Sequence, residues 1–356
     1  MKILKQLCLV CFSIFVISSC AIHSNNISNI QGNNDLPSVI DRVRDSIVLI
    51  SASVNEDPYI NANQNAMCSG AVIELQYIIT NFHCIYKQKF IRVYYWNDND
   101  WNEYKVEVIG EDPLADLALL RVLNKDEPTP HLPFAEELPR TGEEVFAMGH
   151  PMGMAWTVTK GIISSTDRFA RHPFVKALQT DAAINVGNSG GPLLNMKGEI
   201  VGINALIISR VKENAGIGLA IRSDIVKSSY KTMLIMTKVP RPAIGVMIAP
   251  LSTEGQRKSI LKKHTKLKEE QLPNTFGLLV LPSDEMPEEV KSWDTIVAIE
   301  GDPLNNGVDL AEILSKYNIG QTITITVIRN RQFKKVNIVL REFEVPIDKM
   351  YNRGNL

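Results

Sequence analysis

Gly187-Asn188-Ser189-Gly190-Gly191-Pro192 sets one serine on a glycine-flanked turn between short apolar runs. Glycines allow close approach of other backbone. A serine hydroxyl becomes a useful nucleophile when it is held still beside a base and near amide N–H groups that can receive an oxyanion. Gly-Asn-Ser-Gly is also ordinary β-turn chemistry, so the catalytic reading has to be argued from the residues upstream.

The first of these is Ile78-Ile79-Thr80-Asn81-Phe82-His83-Cys84, an apolar strand ending in a polar corner that carries one of only six histidines. A neutral imidazole can take a serine proton and later return it to a leaving group. The plainer reading is a strand-end histidine that caps backbone groups. Farther along, Asp116 opens the apolar run Leu117-Ala118-Leu119-Leu120. A carboxylate buried there is costly without a hydrogen-bond partner, and His83 is the natural one. An aspartate accepting from one ring nitrogen fixes the tautomer and favours the imidazolium formed during attack. Asp112, just before Pro113, reads as a turn residue.

Around these residues lie Ser46–Ile50, Phe90–Trp96 and Tyr104–Ile109, rich in β-branched and aromatic side chains and separated by turn clusters. The pattern predicts an all-β domain. Two six-stranded antiparallel barrels would accommodate it, with the active site in the cleft between them. Ser223 is placed as the N-cap of a helix running to about Met236. Val239-Pro240-Arg241-Pro242 then marks a domain boundary, because two prolines end the helix and stiffen the connection.

The order His83, Asp116, Ser189 is that of the chymotrypsin-type double barrel. Four runs, Thr80–His83, Ala115–Leu120, Gln179–Asn185 and Gly187–Leu193, closely resemble the HtrA-type trypsin-like serine proteases. Gly149–Gly153, Thr157–Ser164, Gly198–Asn204 and Gly216–Ile221 extend the likeness over roughly residues 37–236. The resemblance implies a serine endopeptidase acting through an acyl-enzyme on unfolded polypeptides, with His83 as base and acid, Asp116 as its orienting carboxylate and Ser189 as nucleophile. It implies an oxyanion hole at Gly187, Asn188 and Ser189, and a substrate pocket near Ala183, Ile184, Ile203, Asn204 and Ala205. Trypsin-like enzymes that cut after Lys or Arg carry an acid at the position of Ala183, so a small or medium aliphatic side chain is expected there instead. Asp181 and Asn185 are expected to hold loop geometry. Arg168 matches the arginine of the family's regulatory sensor loop, and the family commonly works as a homotrimer. No cofactor and no metal are required.

Cys68 and Cys84 flank the strands around His83, and an antiparallel hairpin would bring them face to face. A disulfide closing so short a loop would contribute about 3 kcal/mol. Two buried free thiols are the other reading, and HtrA-type sequences usually lack this bridge.

The compartment is read from the first 20 residues. Lys2 and Lys5 precede the apolar stretch Leu7–Ile17, and Ile17-Ser18-Ser19-Cys20 comes next. This is a secretory signal, too short for a spanning helix. Its end resembles a bacterial lipobox, in which Cys20 would be acylated and become the membrane anchor. Simple secretion with cleavage near Ala21 is the alternative. Ala21 after the cysteine favours the outer membrane, facing the periplasm. Of five cysteines, Cys8 and Cys11 leave with the signal and Cys20 is acylated, so Cys68 and Cys84 remain as an even pair in an oxidising compartment. With 22% charged residues and a formal net charge of −1, nothing in the electrostatics favours nucleic acid.

Residues 239–345 resemble a single PDZ domain. Ala243-Ile244-Gly245-Val246 stands where HtrA-type PDZ domains present the loop that receives a peptide C-terminus. Asp309–Tyr317 reads as a helix with Leu310, Ile313, Leu314 and Tyr317 on one face and an Asp309/Glu312 capping box. Ser292-Trp293-Asp294 departs from the family's usual Gly-Asp. The basic stretch Arg257–Lys268 reads as a solvated helix face.

The expected fold is thus an all-β chymotrypsin-like double β-barrel followed by a small α+β PDZ-like domain. The segments are a lipoprotein signal peptide (1–19), a flexible tether (20–36), the protease domain (37–238), the PDZ-like domain (239–345) and a C-terminal tail (346–356). A non-catalytic chaperone or peptide-binding adaptor on the same scaffold is the alternative, as is a secreted monomeric trypsin-like enzyme without a regulated state.

Overall fold

The computed structural model describes residues 35–57, 65–97, 100–125, 129–151, 154–170, 175–207, 216–265, 267–304 and 307–351. The signal, Cys20 and nearly all of the expected tether lie outside them. Among the described residues no helix is long and apolar enough to cross a membrane.

A first helix, α1 (Leu36–Val43), begins inside the stretch expected to be tether. Asp35 caps it, its carboxylate accepting from the Ser38 amide at 3.0 Å, and Val39 and Val43 are buried. The first barrel is built from β1 (Ile47–Ser53), β2 (Ala66–Glu74), β3 (Tyr77–Thr80), β4 (Phe90–Asn97), β5 (Asp100–Asp112) and β6 (Leu117–Val122). They close in the order β1-β2-β3-β6-β5-β4. One helical turn, α2 (Phe82–Ile85), interrupts the strands between β3 and β4 and carries His83.

The second barrel comprises β7 (Glu144–Gly149), β8 (Thr157–Phe169), β9 (Lys176–Thr180), β10 (Pro192–Asn195), β11 (Ile200–Ile207) and β12 (Gly218–Arg222), closing in the order β10-β11-β12-β9-β8-β7. Closure leaves neither barrel an open edge. One apolar cluster runs through both: Ile47, Ala71 and Ile79 of the first pack in it with Phe146, Met148 and Ile203 of the second. The two barrels, expected to flank the site, thus share one apolar core.

Helix α3 (Ser223–Met233) then crosses back to the first barrel. Its N-cap is Arg222 and not Ser223, which is buried in the first turn. Gly110 on β5 is what lets the helix seat, since a Cβ there would lie 2.6 Å from Met233 Cβ.

The remaining strands are β13 (Pro242–Ala243), β14 (Met247–Pro250), β15 (Leu278–Leu281), β16 (Thr295–Ile299), β17 (Asp302–Pro303), β18 (Thr322–Arg329), β19 (Gln332–Val339) and β20 (Arg341–Glu342). A sheet of order β14-β15-β16-β18-β19 carries β17 on β16, while β13 pairs with β20. Helix α4 (Glu254–Lys263) has a Thr253/Gln256 capping box and fully buries none of its residues. The basic stretch is nevertheless not wholly a solvated face: Ile260 and Leu261 pack against Leu251, Leu267 and Leu279, and Arg257 donates to the Leu251 and Thr275 carbonyls at 3.1 and 2.6 Å. Helix α5 (Gly307–Leu314) buries Leu310, Ile313 and Leu314 against the sheet. It starts before Asp309 and stops before Tyr317, so the expected Asp309/Glu312 capping box is not the helix start. Glu312 instead pairs with Lys176 at the beginning of β9.

Trp293, at the departure from Gly-Asp, adopts φ 74°, the left-handed region that costs a bulky residue about 1–2 kcal/mol. Its ring packs edge-on against His264 at 5.4 Å, and Asp294 beside it holds Arg329 through bonds of 2.7 and 2.6 Å.

The stretch expected to be a C-terminal tail (346–356) is in part helical. A short helix, α6 (Ile347–Tyr351), returns to the first barrel, where Tyr351 is 1% exposed.

Candidate active site

Two segments of the first barrel meet at the cleft. Asp112 ends β5 and caps the next turn, accepting from the Ala115 amide at 3.1 Å. The expectation of a turn residue is right as far as it goes, but Asp112 is fully buried and also accepts from Ser229 Oγ of α3 at 2.6 Å and from Arg241 of the linker. The turn delivers Asp116 at φ 56°, a conformation aspartate tolerates better than most residues. The Asp116 carbonyl accepts from the Phe82 amide at 3.1 Å and from Asn81 Nδ2 at 2.9 Å.

Its carboxylate accepts from the His83 amide at 2.9 Å and lies 2.8 Å from His83 Nδ1. An ionised carboxylate there makes Nδ1 the protonated nitrogen and leaves Nε2 as the basic one. The Asp116 side chain is 2% exposed and that of His83 17%, so the acid is shielded while the imidazole edge reaches the cleft.

Ser189 comes from the second barrel, on the turn before β10. Its carbonyl accepts from the Ser69 amide at 2.8 Å, and the Ser69 carbonyl in turn accepts from Thr80 Oγ1 at 2.8 Å. The serine turn is thereby tied to β2 and to the end of β3, three residues before His83. Gly190 shows how tight the join is: at φ 81°, a Cβ there would lie 2.2 Å from Thr80 Oγ1 and 2.3 Å from the Ser69 carbonyl. Among the described residues no hydrogen bond joins Ser189 Oγ to His83. Such bonds are often long before substrate binds.

The amides of the turn divide into two sets. Asn188 N–H donates to the Asn185 carbonyl, Gly190 N–H to that of Asn204 and Gly191 N–H to that of Asn188. Among the described residues the Gly187 and Ser189 N–H groups have no such partner, and amides so left can receive a negatively charged oxygen. The Gly187 carbonyl is pinned by Ser69 Oγ at 2.7 Å, and that hydroxyl accepts from the His150 amide at 2.8 Å. Ser69 belongs to none of the motifs legible in the sequence. The available signal is a hydroxyl inside an apolar strand, which must find partners once buried.

His150 is fully buried, its Nε2 donating to the Ile47 carbonyl at 3.1 Å while Nδ1 accepts from the Trp156 amide at 3.2 Å. Desolvation pushes its pKa down to about 4, against opposing hydrogen bonds to Ile47 and Met154 backbone. It is a neutral strut between barrels.

The other expected residues lie in the second barrel and the C-terminal unit. Ala183 is half-buried, and its carbonyl accepts from Thr159 Oγ1 at 2.7 Å. Ile184, Ile203 and Ala205 are buried, Ile203 and Ala205 within the shared core. Asn204 exchanges backbone bonds with Gly190 and Gly191, bracing the serine turn. Asp181 accepts from the Ile162 amide at 2.7 Å. Arg168 sits exposed on β8, donating to Gln179 Oε1 at 2.8 Å. Ile244 joins the core of the C-terminal sheet, and Gly245 adopts φ 73° beside Arg341 in the loop between Ala243 and β14.

Cys68 and Cys84 are joined, with their Cα atoms 6.1 Å apart, bonding β2 to the helix of His83. Donor atoms of these cysteines and His83 lie within 4.8 Å of one another. Sulfurs bonded to each other offer no thiolate, so this is not a ready metal site.

Residues 68–203 match the trypsin-like peptidase domain family. The periplasmic serine endoprotease DegP of Escherichia coli strain K12 is 31% identical over 282 residues, covering 78% of this chain and 57% of the relative. The serine protease Do-like HtrA of Bacillus subtilis strain 168 is 35% identical over 280 residues, covering 75% and 61%. The chain thus spans little more than half the length of these relatives. Among solved structures, the HtrA-type protease AlgW with tripeptide superimposes with a TM-score of 0.70 at 26% identity, covering 87% of this chain and 98% of that one.

Proposed function

We propose that this chain, which belongs to the HtrA/DegP-type trypsin-like serine proteases, is an endopeptidase that cleaves unfolded or damaged polypeptides through an acyl-enzyme. The observation that carries the reading is the 2.8 Å contact of His83 Nδ1 with Asp116, made beside a serine turn bonded to the same corner. Ser189 Oγ attacks the scissile carbonyl while its proton passes to His83 Nε2, and Asp116 stabilises the imidazolium. The negative charge that develops on the former carbonyl oxygen is received by the Gly187 and Ser189 amides flanking Asn188. His83 then protonates the leaving amine, and water, deprotonated by the same nitrogen, hydrolyses the ester.

In this reading Ala183 faces a small or medium aliphatic substrate side chain, with Ile184, Ile203, Asn204 and Ala205 shaping the wall behind it. The C-terminal unit is a PDZ-like domain. A peptide C-terminus adds to the free edge of β14, its carboxylate at the Ala243–Val246 loop. Arg168 belongs to a sensor loop that answers that ligand, within a homotrimer. Cys20 carries the lipid anchor, and the enzyme faces the periplasm, the compartment named for the Escherichia coli relative. Incubating purified protein with unfolded casein tests the reading. Fragments that disappear with Ser189→Ala support it; casein left intact under all activating conditions, with only binding observed, supports the adaptor alternative and overturns it.

A further inference from the structure

The segments that carry His83 and Asp116 are gripped from outside the barrel by the last helix of the described chain. After β20, which pairs with β13 apart from the larger C-terminal sheet, the backbone turns back to the barrels. Phe343 N–H donates to the Arg241 carbonyl at 2.7 Å, and Phe343 and Val345 pack on the core shared by the barrels. Helix α6 then lies against α2. The Tyr351 ring meets Phe82 edge-on at 5.0 Å and Tyr86 at 5.6 Å, and Ile347 and Met350 pack beside it. Asp348 Oδ1 accepts from Tyr86 Oη at 2.6 Å and Lys87 Nζ at 2.8 Å, which holds its carboxyl below the usual range. These contacts hold the helix that bears His83.

One contact reaches the other segment. Tyr351 Oη donates at 2.5 Å to the Pro113 carbonyl, which also accepts from the Asp116 amide. A single buried side chain therefore touches both the helix of the imidazole and the turn of the carboxylate. The reach is long in sequence, with Pro113 and Tyr351 separated by 238 positions.

We infer that Pro346–Tyr351 is a clamp, with Tyr351 and Asp348 as positioning residues that hold His83 and Asp116 in register. This rests on the assignment of those two residues as base and orienting acid. Misplacing such a pair lowers turnover more than substrate binding. A surface tail would instead be removable without effect on either.

Two measurements on the full chain test it. In the first, inactivation by a fluorophosphonate is resolved into its maximal rate and half-saturating concentration. Tyr351→Ala is expected to lower the rate about tenfold and leave the half-saturating concentration within about twofold, and Tyr351→Phe, which keeps the ring but loses the bond to Pro113, to recover only part of the loss. In the second, amide exchange is followed well below the unfolding temperature. The Phe82 and His83 amides, both bonded to Asp116, are expected to exchange about tenfold faster in Tyr351→Ala and about threefold faster in Asp348→Asn, a fraction of a global opening. Second-barrel amides such as Ile163 should be unchanged. Unaltered exchange at Phe82 and His83 in either variant overturns the clamp, as does an equal rise over both barrels. A wild-type chain that the probe leaves untouched contradicts the protease reading, and the exchange arm then decides the clamp alone.

Discussion

The two barrels place their site residues by different means. In the first, His83 and Asp116 are joined side chain to side chain, and the aspartate is held by bonds to both its carbonyl and its carboxylate. In the second, the serine turn is held by its own backbone, with the Ser69 amide on the Ser189 carbonyl, the Ser69 hydroxyl on the Gly187 carbonyl, and Gly190 and Gly191 where a Cβ would collide with neighbouring backbone. The His83–Asp116 contact is made within one barrel, with α6 packed on both segments that carry it. The position of Ser189 is a product of the interface, and what disturbs the interface reaches the serine first.

The largest test of that contrast is Asp116→Asn. The amide keeps an acceptor for the His83 backbone but favours the wrong imidazole tautomer, so turnover should fall about 10³–10⁴-fold with an unchanged fold. Steady-state casein hydrolysis alongside a melting curve checks this. A fall of less than tenfold would mean that the pair is not the working unit.

His150 tests the interface. Its folded-state pKa lies below the unfolded value, so the unfolded chain binds the extra proton and stability drops as pH falls from about 6.5 toward 4. The loss should be on the order of 3 kcal/mol, and absent above that window. Denaturant titrations of wild type and His150→Gln measure it, and equal acid sensitivity in the two would remove His150 from the account. The smallest expected effect is that of Ser69→Ala, which frees the Gly187 carbonyl. About a tenfold fall in kcat with little change in KM is expected, whereas an unchanged kcat would show that the oxyanion turn needs no latch.

What can be read from the residues divides in the same way. His83, Asp116 and Ser189 stand in short motifs whose composition is tied to their chemistry, and the strand runs around them alternate or bury as β-barrels must. The Asp112 network, with bonds spanning 117 and 129 residues, has no local signature, and a lone Asp before Pro looks like a turn. Tyr351 reads as part of a tail because a five-residue helix has no periodicity to detect. The Asp309/Glu312 capping box fails for a related reason: Glu312 has a better partner in Lys176, which only the fold brings near. Trp293 is visible in the sequence as a departure from the family, but its packing partner is not.

Activation of Ser189 by His83, oriented by Asp116, is the step on which the proposed activity depends. It is tested most directly by treating the full chain with a fluorophosphonate in the presence of unfolded casein and mapping the adduct by mass spectrometry. A single adduct on Ser189, absent in His83→Ala, is the predicted result. No adduct at all, or a Ser189→Ala variant that still digests casein, would contradict it.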